Sequence, residues 1–222
     1  MINVLDHGFV RLVDSMGSDL SVVRAARVSY DAAWRAGEDD GSDAKLIGYL
    51  MRNKHTSPFE AVSFTFEVKA PIFVFRQWHR HRTWSFNELS ARYRELPEEF
   101  YVPEAGQITT QSTSNKQMRT ADEHPRAQDW AAMMRSHCLV AFDLYQSALR
   151  DGVPRELARG VLPVFTYSHM FATVDLHNLF HFLRLRLHEH AQYEIRVYAE
   201  AMLSLIERVV PVSAMAFRSS LA

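Results

Sequence analysis

Residues 62–93 read VSFTFEVKAPIFVFRQWHRHRTWSFNELSARY, and the fold expectation starts from them. Val62, Phe64, Phe66 and Val68 alternate with Ser63, Thr65, Glu67 and Lys69, the period of two expected of a strand with one face in a core. Pro71 suits the first turn of a helix, where its missing N–H leaves no bond unmade. That helix carries Ile72, Phe75 and His79 on one side, with Arg76, Gln77 and Arg80 on neighbouring faces. From Thr83 to Tyr93 the chain is expected to be irregular or extended.

Upstream, Ile2, Val4 and Leu5, then Phe9, Val10 and Leu12, suggest short strands. Ser18 or Asp19 caps a helix running to about Val28, and a polar loop at 36–43 precedes a helix at 44–52. HTSPFE (55–60) reads as a turn opening a short helical segment. Downstream, residues 103–125 turn polar and are expected to form a mobile loop or insertion. Pro125 opens a long amphipathic helix ending by Gly152, and Pro154 a shorter one carrying Arg155 and Arg159. Residues 166–174 read as a strand, Asp175 as the cap of a helix to about Leu187, and 192–209 as a last helix stopping before Pro211. No internal repeat interrupts 1–222, which is expected to be one domain. The class is α/β of the α+β type: a mixed sheet with packed helices and helical additions.

Charge narrows the function. Lys and Arg number 25 against 26 Asp and Glu, for a net charge of -1 and a pI near 6.8. A protein that holds a long nucleic acid usually carries a basic excess, so no nucleic-acid partner is expected. Asp6 and His7 arrive before any apolar run, so no secretory leader is read. No stretch approaches the ~18 apolar residues of a membrane span. The single cysteine, Cys138, fits a reducing compartment, and a cytoplasmic location is expected. His137 beside it lies about 100° away round a helix, so the two make no working pair, and Cys138 reads as core.

Positive charge is concentrated locally. Arg76, Arg80, Arg82, Arg92 and Arg94 share one stretch with His79, His81, Glu88 and several aromatics. A core would not hold so many guanidinium groups, because burying unpaired charge is costly. Cations, aromatics and a few acceptors suit an anionic, planar ligand such as a nucleotide. Arg80, His81 and Arg82 read as three adjacent cations pointing in different directions. Glu88, Ser90 and Arg92 alternate by two and share a face of an extended segment. The eight glycines form no G-x-G, so neither a dinucleotide-binding fingerprint nor a P-loop is available for phosphates. His177 and His181 stand at i, i+4 with His188 and His190 following, which resembles a zinc site. HNLFH lacks the Glu of H-E-x-x-H, and no metal is expected. An oligonucleotide-binding module remains the rival of a different class.

The run RHRTWSFNELS (80–90) fits the RHR-x7-S signature of the flavin-dependent thymidylate synthases, with Arg80, His81, Arg82 and Ser90 at its fixed positions. RAARVSYD (24–31), HTSPFE (55–60), GVPRELAR (152–159) and LRLHEHAQYE (185–194) resemble the same family in the same order. The resemblance implies the family's own thymidylate synthase-complementing fold and reductive methylation of dUMP to dTMP. FAD would be the cofactor, and NADPH and methylenetetrahydrofolate the co-substrates. It also implies a homotetramer with active sites shared between subunits. Arg186, His55 and Ser90 would be catalytic, with Arg186 polarising the uracil and His55 near folate and flavin. Ser29, Ser57, Glu60, Arg80, His81, Arg82, Thr83, Glu88, Asp175, His177 and His181 would contact FAD. Gln77, Trp78, His79, Arg80, Glu88, Leu89, Ser90, Ala91, Arg92, Arg159 and Arg186 would surround dUMP. Asp175, His177 and His181 stand where many relatives carry Asn, Arg and Asn, and Ser57 where threonine is common. The nearest enzymatic rival keeps this site but hydroxymethylates the pyrimidine or uses another carbon donor.

Overall fold

The computed structural model describes residues 1–221. In chain order it contains β1 (Ile2–Val4), β2 (Gly8–Met16), α1 (Asp19–Arg27), α2 (Asp40–Arg52), β3 (Ser63–Pro71), α3 (Ile72–Trp78), β4 (Ser85–Glu88), β5 (Thr109–Gln111) and β6 (Arg119–Glu123). There follow α4 (Ala127–Arg150), α5 (Arg155–Ala158), β7 (Tyr167–Asp175), α6 (Leu176–Arg186), α7 (Tyr193–Ile206) and α8 (Pro211–Ser219). Five strands form one sheet in the order β1-β2-β3-β7-β4, and β5 and β6 form a separate two-stranded ribbon. Pairing is antiparallel throughout, so the chain is of the expected α+β type.

β3 is central because its alternating residues fill the core. Val62, Phe64, Phe66, Val68 and Ala70 are all 0 % exposed, and β7 adds Met170, Ala172 and Val174 in register beside them. Leu179, Phe182 and Leu183 of α6 and Ile195, Tyr198 and Met202 of α7 complete that cluster. Full burial of each such side chain contributes about 1.5–3 kcal/mol. A smaller cluster of Leu96, Phe100, Cys138, Phe142, Tyr145 and Ala158 lies beneath α4. Cys138 is core, as expected, and burial raises its thiol pKa.

Three local expectations are corrected. α2 starts at Asp40 rather than 44, because Asp39 caps it by accepting from the Ser42 amide at 3.1 Å. The 103–125 segment is not irregular: it holds the β5–β6 ribbon, tied by Thr110 and Thr120 hydroxyls at 2.6 Å and by Gln111 Nε2 donating to the Met118 carbonyl at 2.7 Å. Beyond residue 209 the chain forms another helix, α8, with Pro211 at its start. Asp19, at the far end of the sequence, accepts from the Val212 and Ser213 amides, both at 2.9 Å, and satisfies that helix start.

Candidate active site

α3 sorts its residues between two regions. Ile72, Phe75, Arg76 and His79, spaced at i, i+3, i+4 and i+7, face a cavity of about 560 Å³. Glu88, Leu89, Ser90 and Ala91, at and beyond the end of β4, line it from one side, and Glu156 and Arg159 from another. The register of β4 on β7 brings Glu88 to Ser168, whose hydroxyl donates to Glu88 Oε1 at 2.6 Å. His79 Nε2 lies 3.9 Å from the other oxygen of Glu88. Arg92 meets Glu156 at 3.3 Å beside this cavity. Arg76, Glu156 and Ser168 were not placed in the site from sequence. The helical face would have found Arg76, but Ser168 is legible only once the strands are paired.

The opposite side of α3 serves Arg186. Arg186 ends α6 and is half-buried, and its Nε donates to His81 Nε2 at 3.1 Å. Its Nη2 donates to the Gln77 carbonyl at 3.3 Å and its Nη1 to Gln77 Oε1 at 3.5 Å. Among the described residues Arg186 has no carboxylate partner, an unusual state for a half-buried cation. Burial lowers its pKa, while a guanidinium remains charged at any ordinary pH.

His81 corrects the reading of three adjacent cations. It is 7 % exposed, and its pKa falls to about 4 through burial first, then the Arg186 charge, then His181. At neutral pH it is an uncharged acceptor. Arg80 and Arg82, in contrast, are exposed and make no ion pair or side-chain hydrogen bond among the described residues. Trp78, expected near substrate, is 0 % exposed, its ring stacked on Phe182 at 4.8 Å within the core.

A second cavity, of about 510 Å³, opens beside His181. Lys54, His55, His177, His181 and Arg184 surround an apolar floor of Leu50, Phe59 and Phe180, and among the described residues no carboxylate lines it. This donor set fits an anionic cofactor with a flat ring, so the residues present suit a flavin dinucleotide without any glycine-rich loop. Asp175 caps α6, as expected, accepting from the Asn178 amide at 2.9 Å and from Asn178 Nδ2 at 2.6 Å. Ser29, Ser57, Glu60 and Thr83 are exposed and lie outside this lining. His177 and His181 line the second cavity, while His188 and His190 pack on each other at 4.7 Å. Among the described residues no three His, Cys, Asp or Glu side chains gather as a metal-holding group.

One chain therefore keeps the expected substrate residues apart. Glu88, Ser90, Ala91 and Arg159 share the first cavity, whereas Gln77 and Arg186 do not line it. The β5–β6 ribbon borders a third cavity, which shares no lining residue with either of the others.

Comparison with known proteins gives this arrangement a family. The model for "Thymidylate synthase complementing protein" matches residues 11–212. A flavin-dependent thymidylate synthase of Thermus thermophilus is 51 % identical over 221 residues, covering 99 % of this chain and 79 % of that protein. One from Ehrlichia ruminantium is 49 % identical over 215 residues, covering 96 % and 71 %. The crystal structure of PolB, a UMP/dUMP methylase from Streptomyces cacaoi bound with 5-Br dUMP, superposes with a TM-score of 0.89 at 43 % identity, covering 98 % of this chain and 97 % of that one. The chain belongs to the flavin-dependent thymidylate synthases, a family of enzymes.

Proposed function

We propose that this enzyme methylates dUMP to dTMP, with FAD as cofactor, NADPH as reductant and methylenetetrahydrofolate as carbon donor. The observation that carries this reading is Arg186: a half-buried guanidinium held by neutral acceptors and, among the described residues, offset by no carboxylate. C5 of a uracil becomes nucleophilic when negative charge builds on its N3–C4–O4 edge. A fixed cation stabilises that charge without itself moving a proton. A carboxylate against Arg186 would cancel this effect, and the neutral His81 does not.

Arg80, Arg82, His55, His177 and His181 would hold the flavin, with Ser29, Ser57, Glu60 and Thr83 as further contacts. When bound and reduced, the flavin supplies the hydride that completes the methyl group. Arg159 and Arg76 provide positive charge for the nucleotide phosphate, while Ser90, Leu89 and Ala91 shape the wall against its ring. Glu88, held by Ser168, offers a fixed acceptor.

The separation of Arg186 and Gln77 from Glu88, Ser90 and Arg159 supports a site completed by another subunit. α4 supplies a face for assembly: Trp130, Met133, Val140 and Leu144 lie on one stripe and are 39–63 % exposed. We place these faces within a homotetramer. Incubation with dUMP, methylenetetrahydrofolate and NADPH, with nucleotide products weighed by mass spectrometry, tests the reaction. dTMP supports it, and a product one oxygen heavier points to hydroxymethylation. PolB's activity on UMP as well as dUMP makes UMP the second substrate to assay.

A further inference from the structure

Arg186 is held largely through Gln77, and Gln77 is held in turn. Its Oε1 accepts from Arg186, and its Nε2 donates to Gln192 Oε1. The primary amide has one accepting end and one donating end. If it turned over, its NH2 would face the guanidinium, donor against donor; the bonds to His81 and to the Gln77 carbonyl would remain, but the Oε1 bond that fixes the Nη1 arm of the fork would be lost. Gln192 prevents that turn by taking the donating end.

Gln192 is itself placed by a buried cluster. It stands at the N-cap of α7, two positions before Glu194, which is 3 % exposed. Glu194 Oε1 accepts from the Tyr101 hydroxyl at 3.3 Å and from Arg119 Nη1 at 3.5 Å. Arg119 belongs to β6 and also donates to the Gln107 carbonyl at 2.9 Å. The ribbon that read from sequence as a loose loop thus anchors the start of α7.

We infer that Gln192 is a positioning residue for Arg186, acting through the Gln77 amide and fixed by the Arg119–Glu194–Tyr101 cluster. The inference rests on the role proposed above for Arg186. Gln192 is exposed, so a residue of similar size is tolerated without refolding the core.

The test is a double-mutant cycle on the FAD-loaded enzyme using Gln192→Met and Gln77→Met, with flavin content and thermal midpoint followed in parallel. Gln192→Met is expected to lower kcat/KM about tenfold, with both controls unchanged. In the Gln77→Met background the same change is expected to cost less than about twofold, because its target is already gone. Gln192→Ala serves as the second variant should Met disturb the fold. Parental kcat/KM in Gln192→Met, or a full tenfold loss added to that of Gln77→Met, overturns the inference. Arg186→Lys measured alongside separates the two readings. Parental turnover in that variant removes the role of Arg186 itself. Lost turnover there with none lost in Gln192→Met removes only the positioning role.

Discussion

The Nε–H of Arg186 donates to Nε2 of His81 at 3.1 Å, across 105 positions of sequence. This bond needs His81 uncharged, and burial supplies that condition by pulling its pKa from 6.5 to about 4. The sign of the pH effect follows. Above 6.5 His81 is neutral folded or unfolded. As pH falls from 6.5 towards 4 the unfolded chain takes up a proton that the folded chain refuses. Stability is present above that window and lost through it, by on the order of 3 kcal/mol at most from this group. His81→Gln, whose amide oxygen can still accept from Arg186, is expected to flatten the fall between pH 6.5 and 4 in denaturant titrations. Parallel curves for the two proteins would remove His81 from this role.

Arg186→Lys keeps the charge but loses the planar fork that reaches His81 and both acceptors of Gln77. Turnover is expected to fall at least about a hundredfold with the fold intact, since a point charge cannot hold the same direction. Steady-state kinetics beside a thermal melt checks this.

Arg82 is exposed and its side chain makes no bond among the described residues, which leaves it available to a ligand. Arg82→Ala is expected to leave the thermal midpoint of the apoprotein within about 1 °C, as surface changes commonly do. The same variant should retain markedly less flavin after desalting, read at the visible absorption bands. Equal flavin content would exclude a phosphate contact by Arg82.

Arg119→Ala removes one of the two partners of the buried Glu194 carboxylate. The expected cost is about 2 kcal/mol, because a buried charge keeps only its Tyr101 bond. Hydrogen exchange should accelerate first at residues 109–123 and at the start of α7. Unchanged exchange there would show that the ribbon is held by other contacts.

Much of the architecture was readable because the signals were local. The alternation from Val62 to Val68 gave β3, and Asp175 ahead of Leu176 gave the start of α6. The face shared by Ile72, Phe75 and His79 became the wall of the first cavity. The misreadings share a different cause. α8 is completed by Asp19, 194 positions away at Ser213, and no window around Pro211 contains that partner. The β5–β6 ribbon is held by hydroxyl and amide bonds rather than by apolar alternation, so its composition resembles a loop. In the site, the motif marked His81 and Trp78 but not their states. Tertiary burial makes one neutral and places the ring of the other in the core.

The most direct test of the account is the reaction itself, run with the purified protein saturated with FAD. Nucleotide products from dUMP, methylenetetrahydrofolate and NADPH are resolved by mass spectrometry while NADPH absorbance is followed. The expected result is dTMP formed one for one with dUMP-dependent NADPH oxidation. A protein that takes up no FAD, or that holds it and forms no dTMP from dUMP, would contradict the account.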